Sequence, residues 1–276
     1  MQEKFFSIIV VSLNPGEGLR KTLNSIVEQS FQDYEVILKD GGSRDKSLET
    51  LEKEGFFAAH PQIKVVKEKD SSIYEGMNQA LRLAEGSYIQ FLNCGDLFYD
   101  NRVLEKTAAY IGKERKKASI YYGNQYNLLQ KSVVCSAPKI NDFTCYRNVP
   151  CHQVCFYSRD LFARRGYEPS YQVRADYEHF LYCIYEEKAQ THFLPILIAS
   201  YEGGGFSERA ENRKKSAREH RDITRKYLGR KKTAKYRLLM WLSLAWVRTK
   251  MAESPALSGI YNGMKRRIYQ LIRKES

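Results

Sequence analysis

The sequence predicts an α/β protein with a doubly wound, mostly parallel sheet flanked by helices and a basic helical extension at the C-terminus. Two observations lead to this prediction. Over the first hundred residues, apolar runs of strand length alternate with amphipathic helical patterns, as in successive βαβ units. From residue 208 onward, 20 Lys and Arg stand against 6 Asp and Glu, whereas residues 1–207 hold 25 against 26. We therefore expect one domain over 1–207 and a separate basic extension over 208–276.

The elements of the first hundred residues follow from the spacing of apolar residues. Four largely apolar runs predict buried strands, over residues 5–13, 34–38, 63–66 and 87–92. Apolar residues at helical spacing predict helices between them, over residues 19–27, 47–54 and 73–84. Right-handed crossovers place the carboxyl ends of all four strands at one edge of the sheet, and ligands bind beyond that edge in doubly wound folds.

Beyond residue 100 the pattern is less regular. It predicts a helix over 103–111, short strands over 120–126 and 133–135, and three helical segments in the basic extension, with breaks near Gly229 and Pro255. The six cysteines form no CxxC pair, so reduced thiols are expected rather than a zinc site.

Polar residues stand where each of the four predicted strands ends. Ser12 and Asn14 follow the first strand, and Asp40, Asp70 and Asp96 follow the next three. Any one of them is typical of a turn or a helix cap. Three carboxylates at one edge of a sheet repel each other unless a cation or the hydrogen-bond donors of a ligand neutralise them. Together they predict a site for a divalent metal ion, for a ligand rich in hydroxyl groups, or for both.

Two segments carry a resemblance to a known family. The stretches SIIVVSLNPGEGLRKTLNSIVEQSFQDYEVILKDGGSRDKS and KEKDSSIYEGMNQALRLAEGSYIQFLNCGD resemble the nucleotide-sugar half of glycosyltransferase family 2. These are inverting enzymes of the GT-A fold, and the likeness is closest to bacterial polysaccharide and cell-surface glycan members. It covers residues 5–100 almost without gaps and continues more weakly to about residue 207. The resemblance implies a Rossmann-like GT-A domain with a donor half over 1–100 and an acceptor half over 101–207.

The resemblance assigns the polar strand ends to the donor. It implies that Ser12, Asn14 and Asp40 bind the nucleobase, where a carboxylate accepting a base N–H makes a charge-assisted hydrogen bond. Gly41 allows the backbone to approach the ligand closely. Asp70 corresponds to a position that lines the nucleotide pocket.

The segment NCGD resembles the DxD-type element of the family, in which a carboxylate holds Mn²⁺ or Mg²⁺ against the diphosphate. Asn93 and Gly95 stand where aspartate is common. We therefore predict that Asp96 is the sole protein carboxylate on the metal ion, and that Asn93 reaches the ribose or a phosphate-bound water. Mg²⁺ suits a site with so few protein ligands best, because it keeps several waters and binds substrate phosphates.

The segment VPCHQVCFYSRDLF resembles the family segment in which a His-Gln pair precedes an aromatic strand. This implies that His152 and Gln153 face the donor or acceptor sugar, whereas a core histidine is the alternative from the residues alone.

The segment YEGGGFS resembles a glycine-rich loop that closes over the diphosphate, which places Gly204 on the phosphate side. Without the resemblance, three glycines indicate only a turn.

The segment RADYEHFL resembles the acidic element that supplies the catalytic base. The resemblance implies that Asp176 is this base, although Ala175 stands where the family usually has Glu. Glu178 is the reserve candidate. An acid at this position can also simply stabilise the first turn of a helix.

The basic extension contains the run LLMWLSLAWV, ten apolar residues that include both tryptophans. A bilayer span needs about 20 such residues. The flanking Arg and Lys residues favour an interfacial helix on an anionic membrane, and the alternative is a helix packed on the main domain.

The sequence contains no recognised nucleic-acid-binding motif. The N-terminal apolar run lacks a cleavage site, so we predict a cytoplasmic protein, peripheral on the inner face of the plasma membrane.

The residues and the resemblance together predict an inverting glycosyltransferase of the EC 2.4 class. It would move a sugar from a nucleotide-sugar donor, UDP-linked, to a hydroxyl of a glycan or lipid-linked glycan, by a metal-assisted single displacement. Because the metal motif contains a single carboxylate, a catalytically weak nucleotide-sugar-binding scaffold is an alternative function. A nucleotidyltransferase on a similar sheet is a further alternative.

Overall fold

The computed structural model describes residues 4–112, 118–201 and 210–242, together with six single positions between 254 and 268. The strands in these ranges are β1 (Phe6–Ser12), β2 (Tyr34–Asp40), β3 (Ile63–Lys67), β4 (Tyr88–Phe91), β5 (Leu97–Phe98), β6 (Ser119–Asn127), β7 (Ser132–Val134), β8 (Cys155–Ser158) and β9 (Gln190–Tyr201). The helices are α1 (Glu17–Val27), α2 (Ser47–Lys53), α3 (Phe56–Ala59), α4 (Ile73–Leu81), α5 (Val103–Ile111), α6 (Asp142–Arg147), α7 (Ala175–Tyr185) and α8 (Ala210–Leu242).

The strands of the described ranges form one sheet in the order β3-β2-β1-β4-β8-β6-β9-β5, and β7 pairs with β6. The first four strands in this order run parallel to one another. β8 is antiparallel to β4 and joins this parallel half to a mixed half, in which β6 and β9 are again parallel. The prediction of a mixed, mostly parallel sheet flanked by helices is confirmed.

The central strands are largely apolar because both faces of the sheet are covered. On β1, Phe6 and Ile8 pack into one core with α1, which contributes Leu23. The intervening Ile9 packs on the other face with Met77 of α4. A strand buried on both faces cannot alternate apolar with polar residues, which explains the continuous runs in the sequence.

Helix α8 packs on the rest of the described chain through its first half, where Ile223, Thr224 and Leu228 are buried. It bends at Gly229, whose φ of 77° and ψ of 164° are not helical. The predicted break near Gly229 therefore exists, whereas the one near Pro255 lies outside the described residues. The division at residue 207 stays a prediction. None of the helices in the described ranges combines the length and the apolar character that crossing a membrane requires.

Gly86 precedes β4 and offers a test of the packing between β4 and β1. A Cβ at this position would lie 2.5 Å from the backbone carbonyl carbon of Phe6 and the backbone nitrogen of Ser7. Neither atom can move without displacing β1, so we expect Gly86→Ala to lower the free energy of unfolding by about 3 kcal/mol. Urea denaturation measures this change.

Gly55→Ala is the matched control, because a Cβ at Gly55 meets no atom within 4 Å although its φ is 74°. Its cost should be only the strain of a left-handed residue, about 1 kcal/mol. Equal destabilisation by the two substitutions would contradict the steric argument at Gly86.

Candidate functional site

The ends of β1 and β2 meet at the sheet edge, where Ser12 and Asp40 are paired in register. The Ser12 hydroxyl donates to Oδ1 of Asp40 at 3.3 Å. Oδ2 of Asp40 accepts from the backbone N–H groups of Gly42 at 3.0 Å and Ser43 at 2.9 Å, and the Ser43 hydroxyl donates to Oδ1. A carboxylate offers about four acceptor positions, and all are used here. A nucleobase N–H would therefore have to displace one of these donors.

Asn14 holds the same loop from the other side. Its backbone N–H donates to the Ser43 hydroxyl at 2.8 Å, and its side-chain Oδ1 accepts from the backbone N–H of Arg44 at 2.8 Å. Its φ of 49° is left-handed, a conformation that asparagine tolerates better than most residues. Asn14 and Asp40 thus fix the shape of the loop that follows β2.

Asp70 is paired with a lysine that the sequence analysis missed. Lys39, on β2, is fully buried, and its Nζ lies 2.8 Å from Oδ2 of Asp70. The same ammonium group donates to the backbone carbonyls of Asp40, at 3.1 Å, and Glu68. A lysine directly after the apolar residues of β2 was the available signal, because a buried lysine needs a partner.

Gly41 lies directly against this ion pair. A Cβ on Gly41 would come within 2.7 Å of Oδ2 of Asp70, so only glycine fits there without displacing the carboxylate. The expectation that the three acids at the edge repel unless an added cation or ligand neutralises them needs correction. Asp40 is neutralised by hydrogen-bond donors and Asp70 by Lys39, so repulsion alone gives no argument for a metal ion at these two.

Asp96 lies in the turn after β4, against helix α1. Thr22 of α1 accepts a hydrogen bond from the backbone N–H of Gly95 at 2.8 Å and donates to the backbone carbonyl of Asp96 at 2.9 Å. The amide nitrogen of the Gln153 side chain donates to Oδ2 of Asp96. The Asp96 carboxylate thus lies in a turn that side chains from two other elements hold in place.

The oxygens in this turn suit a hard divalent cation. The side-chain Oδ1 of Asn93 is buried without a hydrogen-bond partner in the described structure, and it lies in the same turn as Asp96. An amide oxygen and a carboxylate are ligands that Mg²⁺ and Mn²⁺ accept, with water and phosphate oxygens completing the shell. Three or more His, Cys, Asp or Glu side chains do not converge anywhere in the described ranges, so the protein would supply few ligands.

Asp176 lies in the first turn of α7 and is held by two side chains. Nδ1 of His152 lies 3.0 Å from Oδ2 of Asp176, and the Tyr74 hydroxyl lies 3.0 Å from Oδ1. The same hydroxyl lies 2.9 Å from the backbone carbonyl of Val173. Because the aspartate is ionised, Nδ1 of His152 must carry the proton of their hydrogen bond.

The pKa values of Asp176 and His152 shift in opposite directions. Burial acts to raise the pKa of Asp176, but the hydrogen bond and charge of His152 outweigh it, and the net pKa lies below the ordinary value. Burial acts to lower the pKa of His152, but the neighbouring Cys151 and Asp176 side chains raise it well above the ordinary value. Asp176 is therefore kept in the ionised form that can accept a proton.

His152 and Gln153 are neighbours in a short 3₁₀ helix, His152–Val154, and each holds one acid. His152 binds Asp176, and Gln153 binds Asp96. Gln90 of β4 anchors the short helix, since its side-chain amide donates to the backbone carbonyl of Gln153 at 2.8 Å. Two adjacent residues thus bring together acids that are 80 positions apart in the chain.

The reserve candidate, Glu178, has a different place in the structure. It is fully buried and receives two hydrogen bonds of 3.0 Å from Arg165, one of 2.7 Å from Lys226, and another from the Tyr227 hydroxyl. The prediction of Glu178 as the reserve base is wrong, because this fully buried carboxylate is held by two cations and a hydroxyl group. Its ion pairs instead attach α8 to α7.

Glu219 of α8 is a second residue that the sequence analysis missed. Its buried carboxylate accepts three backbone N–H groups, from Gln172 at 3.0 Å, Val173 at 3.0 Å and Arg174 at 2.9 Å. These residues lead directly into α7 and Asp176. In the sequence Glu219 is one of several acids among many basic residues, which did not indicate a partner for it. Gly204, predicted on the phosphate side, lies outside the described residues.

Comparison with known proteins places the chain in a family. The model of Glycosyl transferase family 2 matches residues 7–164. The PGL/p-HBAD biosynthesis glycosyltransferase of Mycobacterium tuberculosis is 33% identical over 211 residues, which cover 75% of this chain and 80% of that protein. Chondroitin synthase of Escherichia coli is 25% identical over 180 residues, or 63% of this chain and 26% of that protein.

Solved structures share the fold. TarS 1-349 of S. aureus in complex with UDP matches with a TM-score of 0.61 and 19% identity, over 81% of this chain and 70% of that one. The mannosyltransferase PcManGT of Pyrobaculum calidifontis, in complex with GDP-Man and Mn²⁺, matches with a TM-score of 0.60 and 15% identity, over 81% of this chain and 64% of that one.

The contacts of Glu219 predict that α8 holds the segment before Asp176. Glu219→Gln keeps the size of the side chain but replaces one acceptor oxygen with an NH₂ group that faces backbone donors. We expect amide hydrogen exchange over residues 172–174 to become about tenfold faster, since hydrogen bonds to a charged acceptor are lost. Mass spectrometry of the exchanged peptides measures this. Glu211→Gln, at an exposed position of the same helix, is the control, and unchanged exchange in Glu219→Gln would refute the assignment.

Proposed function

This chain is a glycosyltransferase of family 2 with the GT-A fold, and we propose that it transfers a sugar from a UDP-linked donor, with inversion, to a hydroxyl of a glycan or lipid-linked glycan. The contact that supports this most directly is the adjacent pair His152 and Gln153, which holds one acid suited to proton transfer and another suited to a metal ion. In this proposal residues 1–100 hold the donor and residues 101–207 the acceptor.

The donor would lie along the ends of β1, β2 and β4. Ser12, Asn14 and Asp40 would present the loop after β2 to the nucleobase, since their hydrogen bonds fix its shape. Gly41 and Asp70 would line the nucleotide pocket beside them. Solved relatives of the same fold bind UDP and GDP-Man, which supports a nucleoside diphosphate sugar as the donor.

The diphosphate would lie against the turn after β4. Asp96, with Asn93 beside it, would hold a Mg²⁺ or Mn²⁺ ion whose charge stabilises the departing nucleoside diphosphate. Gln153 orients the Asp96 carboxylate from the side of the sheet. Gly204 belongs to the proposed phosphate-side loop.

Asp176 would act as the general base. Its carboxylate would take the proton from the acceptor hydroxyl as that oxygen attacks the anomeric carbon from the face opposite the leaving group. The bond to the nucleoside diphosphate breaks as the new glycosidic bond forms, so one displacement inverts the configuration. His152 and Tyr74 fix the direction of the carboxylate and keep it ionised.

We also propose a peripheral position on the inner face of the plasma membrane, where a lipid-linked acceptor would be found. The basic extension supports this, with its 20 Lys and Arg against 6 Asp and Glu.

Two substitutions test the assignment of the acids. Asp176→Asn should lower kcat by at least about a hundredfold while leaving donor binding unchanged, because it removes only the proton acceptor. Asp96→Ala should weaken the metal-dependent part of donor binding. Calorimetry with UDP-sugars, with and without Mg²⁺ or Mn²⁺, measures binding, and release of UDP measures turnover.

Asp142→Asn serves as a control for the loss of a carboxylate, because Asp142 pairs with Lys232 at the surface and away from the proposed site. Donor binding by the unmodified chain with no transfer to any hydroxyl would favour the scaffold over the enzyme. Release of pyrophosphate from a nucleoside triphosphate would favour a nucleotidyltransferase.

The pairing of His152 with Asp176 predicts the pH dependence of the reaction. His152 lowers the pKa of Asp176, so His152→Ala should raise that pKa. Asp176 then becomes protonated at a higher pH, and the acidic limb of the kcat profile should move upward in pH. Tyr74→Phe removes a single hydrogen bond to the same carboxylate and should move the limb in the same direction but less far. An unmoved limb in His152→Ala would argue against Asp176 as the titrating base.

A further inference from the structure

A basic cleft lies at the bend of helix α8. It has a volume of about 650 Å³ and is lined by Asp222, Arg225, Lys226, Arg230, Thr233, Ala234 and Arg237. The Thr233 hydroxyl donates to the backbone carbonyl of Thr224 at 3.1 Å across the bend. The angle between the two halves of the helix is therefore held by a hydrogen bond, and the cleft is part of the fold.

The cations of this cleft are mostly available for a ligand. Lys226 is paired with Glu178, as described above. Within the described ranges, no carboxylate lies in salt-bridge range of Arg225, Arg230 or Arg237, and all three are exposed. Guanidinium groups match the geometry of phosphate oxygens. The cleft therefore suits a phosphate group.

The same face of the helix continues into exposed apolar residues. Arg230, Ala234, Arg237 and Trp241 follow one another at spacings of four, three and four residues, which places them on one side of a helix. Leu238 lies four residues after Ala234 and adjoins this side. The exposed fractions are 70% for Trp241 and 56% for Leu238.

The opposite side of this half of α8 faces the protein. Lys232 pairs with Asp142 at 2.5 Å, and the Tyr236 ring packs against Phe143 and Tyr146 with centroids 5.5 and 5.7 Å apart. The side that carries Arg230, Arg237 and Trp241 thus points away from the catalytic part of the chain. It combines phosphate-binding cations with apolar groups beyond them.

We propose that this surface, defined by Arg225, Arg230, Arg237, Leu238 and Trp241, docks on an anionic phospholipid bilayer. The inference rests on the peripheral membrane position proposed above and names the residues that would make the contact. The arginines would hold headgroup phosphates, while Leu238 and Trp241 would enter the interfacial layer, where tryptophan is favoured. Charge complementarity favours an anionic surface, and the exposed apolar groups favour a bilayer over a nucleic acid, whose backbone offers them no apolar partner.

Sedimentation of the full chain with vesicles tests the proposal. We expect binding to vesicles of phosphatidylcholine mixed with phosphatidylglycerol, and little binding to phosphatidylcholine alone. Arg230→Glu combined with Arg237→Glu should reduce the partition coefficient by at least about tenfold, since each basic residue near an anionic surface contributes strongly to binding. Leu238→Ser combined with Trp241→Ser should also reduce it.

A matched control separates the docking surface from the overall positive charge. Lys214→Glu combined with Arg218→Glu changes the net charge by the same amount, at exposed residues of the first half of α8 that do not line the cleft. Binding in this control should fall much less. Equal losses in the two charge variants, or equal binding to neutral and anionic vesicles, would overturn the proposal.

Fluorescence reports on insertion. The chain contains two tryptophans, so Trp246→Phe leaves Trp241 as the sole reporter. Its emission should shift to shorter wavelength on anionic vesicles. An unshifted emission, or displacement of the vesicles by a double-stranded oligonucleotide at physiological salt, would assign the surface to something other than a bilayer.

Calorimetry of UDP-sugar binding separates this proposal from the proposed reaction. The Arg230→Glu, Arg237→Glu variant should bind donor as the unmodified chain does, which shows that it is folded and that only docking is lost. Loss of donor binding together with vesicle binding would show that the substitutions disturb the fold and would count against a separate docking surface. If the unmodified chain binds vesicles but no donor, the proposed reaction fails while the docking surface stands.

Discussion

The hydrogen bond between His152 and Asp176 connects the elements from which the site is built. His152 stands just before β8, the strand that pairs with the parallel half of the sheet, and Asp176 opens helix α7. Their contact, 3.0 Å long, sets the direction and the ionisation of the acid. Because Gln153 is the next residue and binds Asp96, the position of one acid also determines that of the other. A shift of this short helix would disturb both.

Buried charges elsewhere in the molecule serve to position these elements. Lys39 pairs with Asp70 at the end of β2, and Glu178 and Glu219 attach α8 to the segment around Asp176. Each buried charge has several partners, as the cost of removing an ion from water requires. The first half of α8 is thus bound to the catalytic part of the chain, while its far end exposes Leu238 and Trp241. The packing interpretation of the basic extension therefore applies to the first half of α8, and the membrane interpretation stays a prediction.

Local patterns predicted the fold well because they depend on neighbours in the chain. The spacing of apolar residues placed the first four strands within about two residues of their observed limits, and helix α5 coincides with its predicted range. The turn residues correctly indicated where the first four strands end. The short strand β5 and the helix α6 were not predicted, since two to six residues carry too little periodic signal.

The sequence by itself determined the fold class, the sheet edge at which the polar residues collect, and, through resemblance, the family. Only the tertiary structure decided which side chains meet. In the structure Lys39 pairs with Asp70, and Glu178 binds α8 through Lys226. His152 binds Asp176, which lies 24 residues later in the chain. The reason is physical. Strand and helix periodicity depends on residues that are close together in the chain, whereas the partner of a buried charge depends on how distant elements pack. A local sequence pattern therefore does not predict that partner.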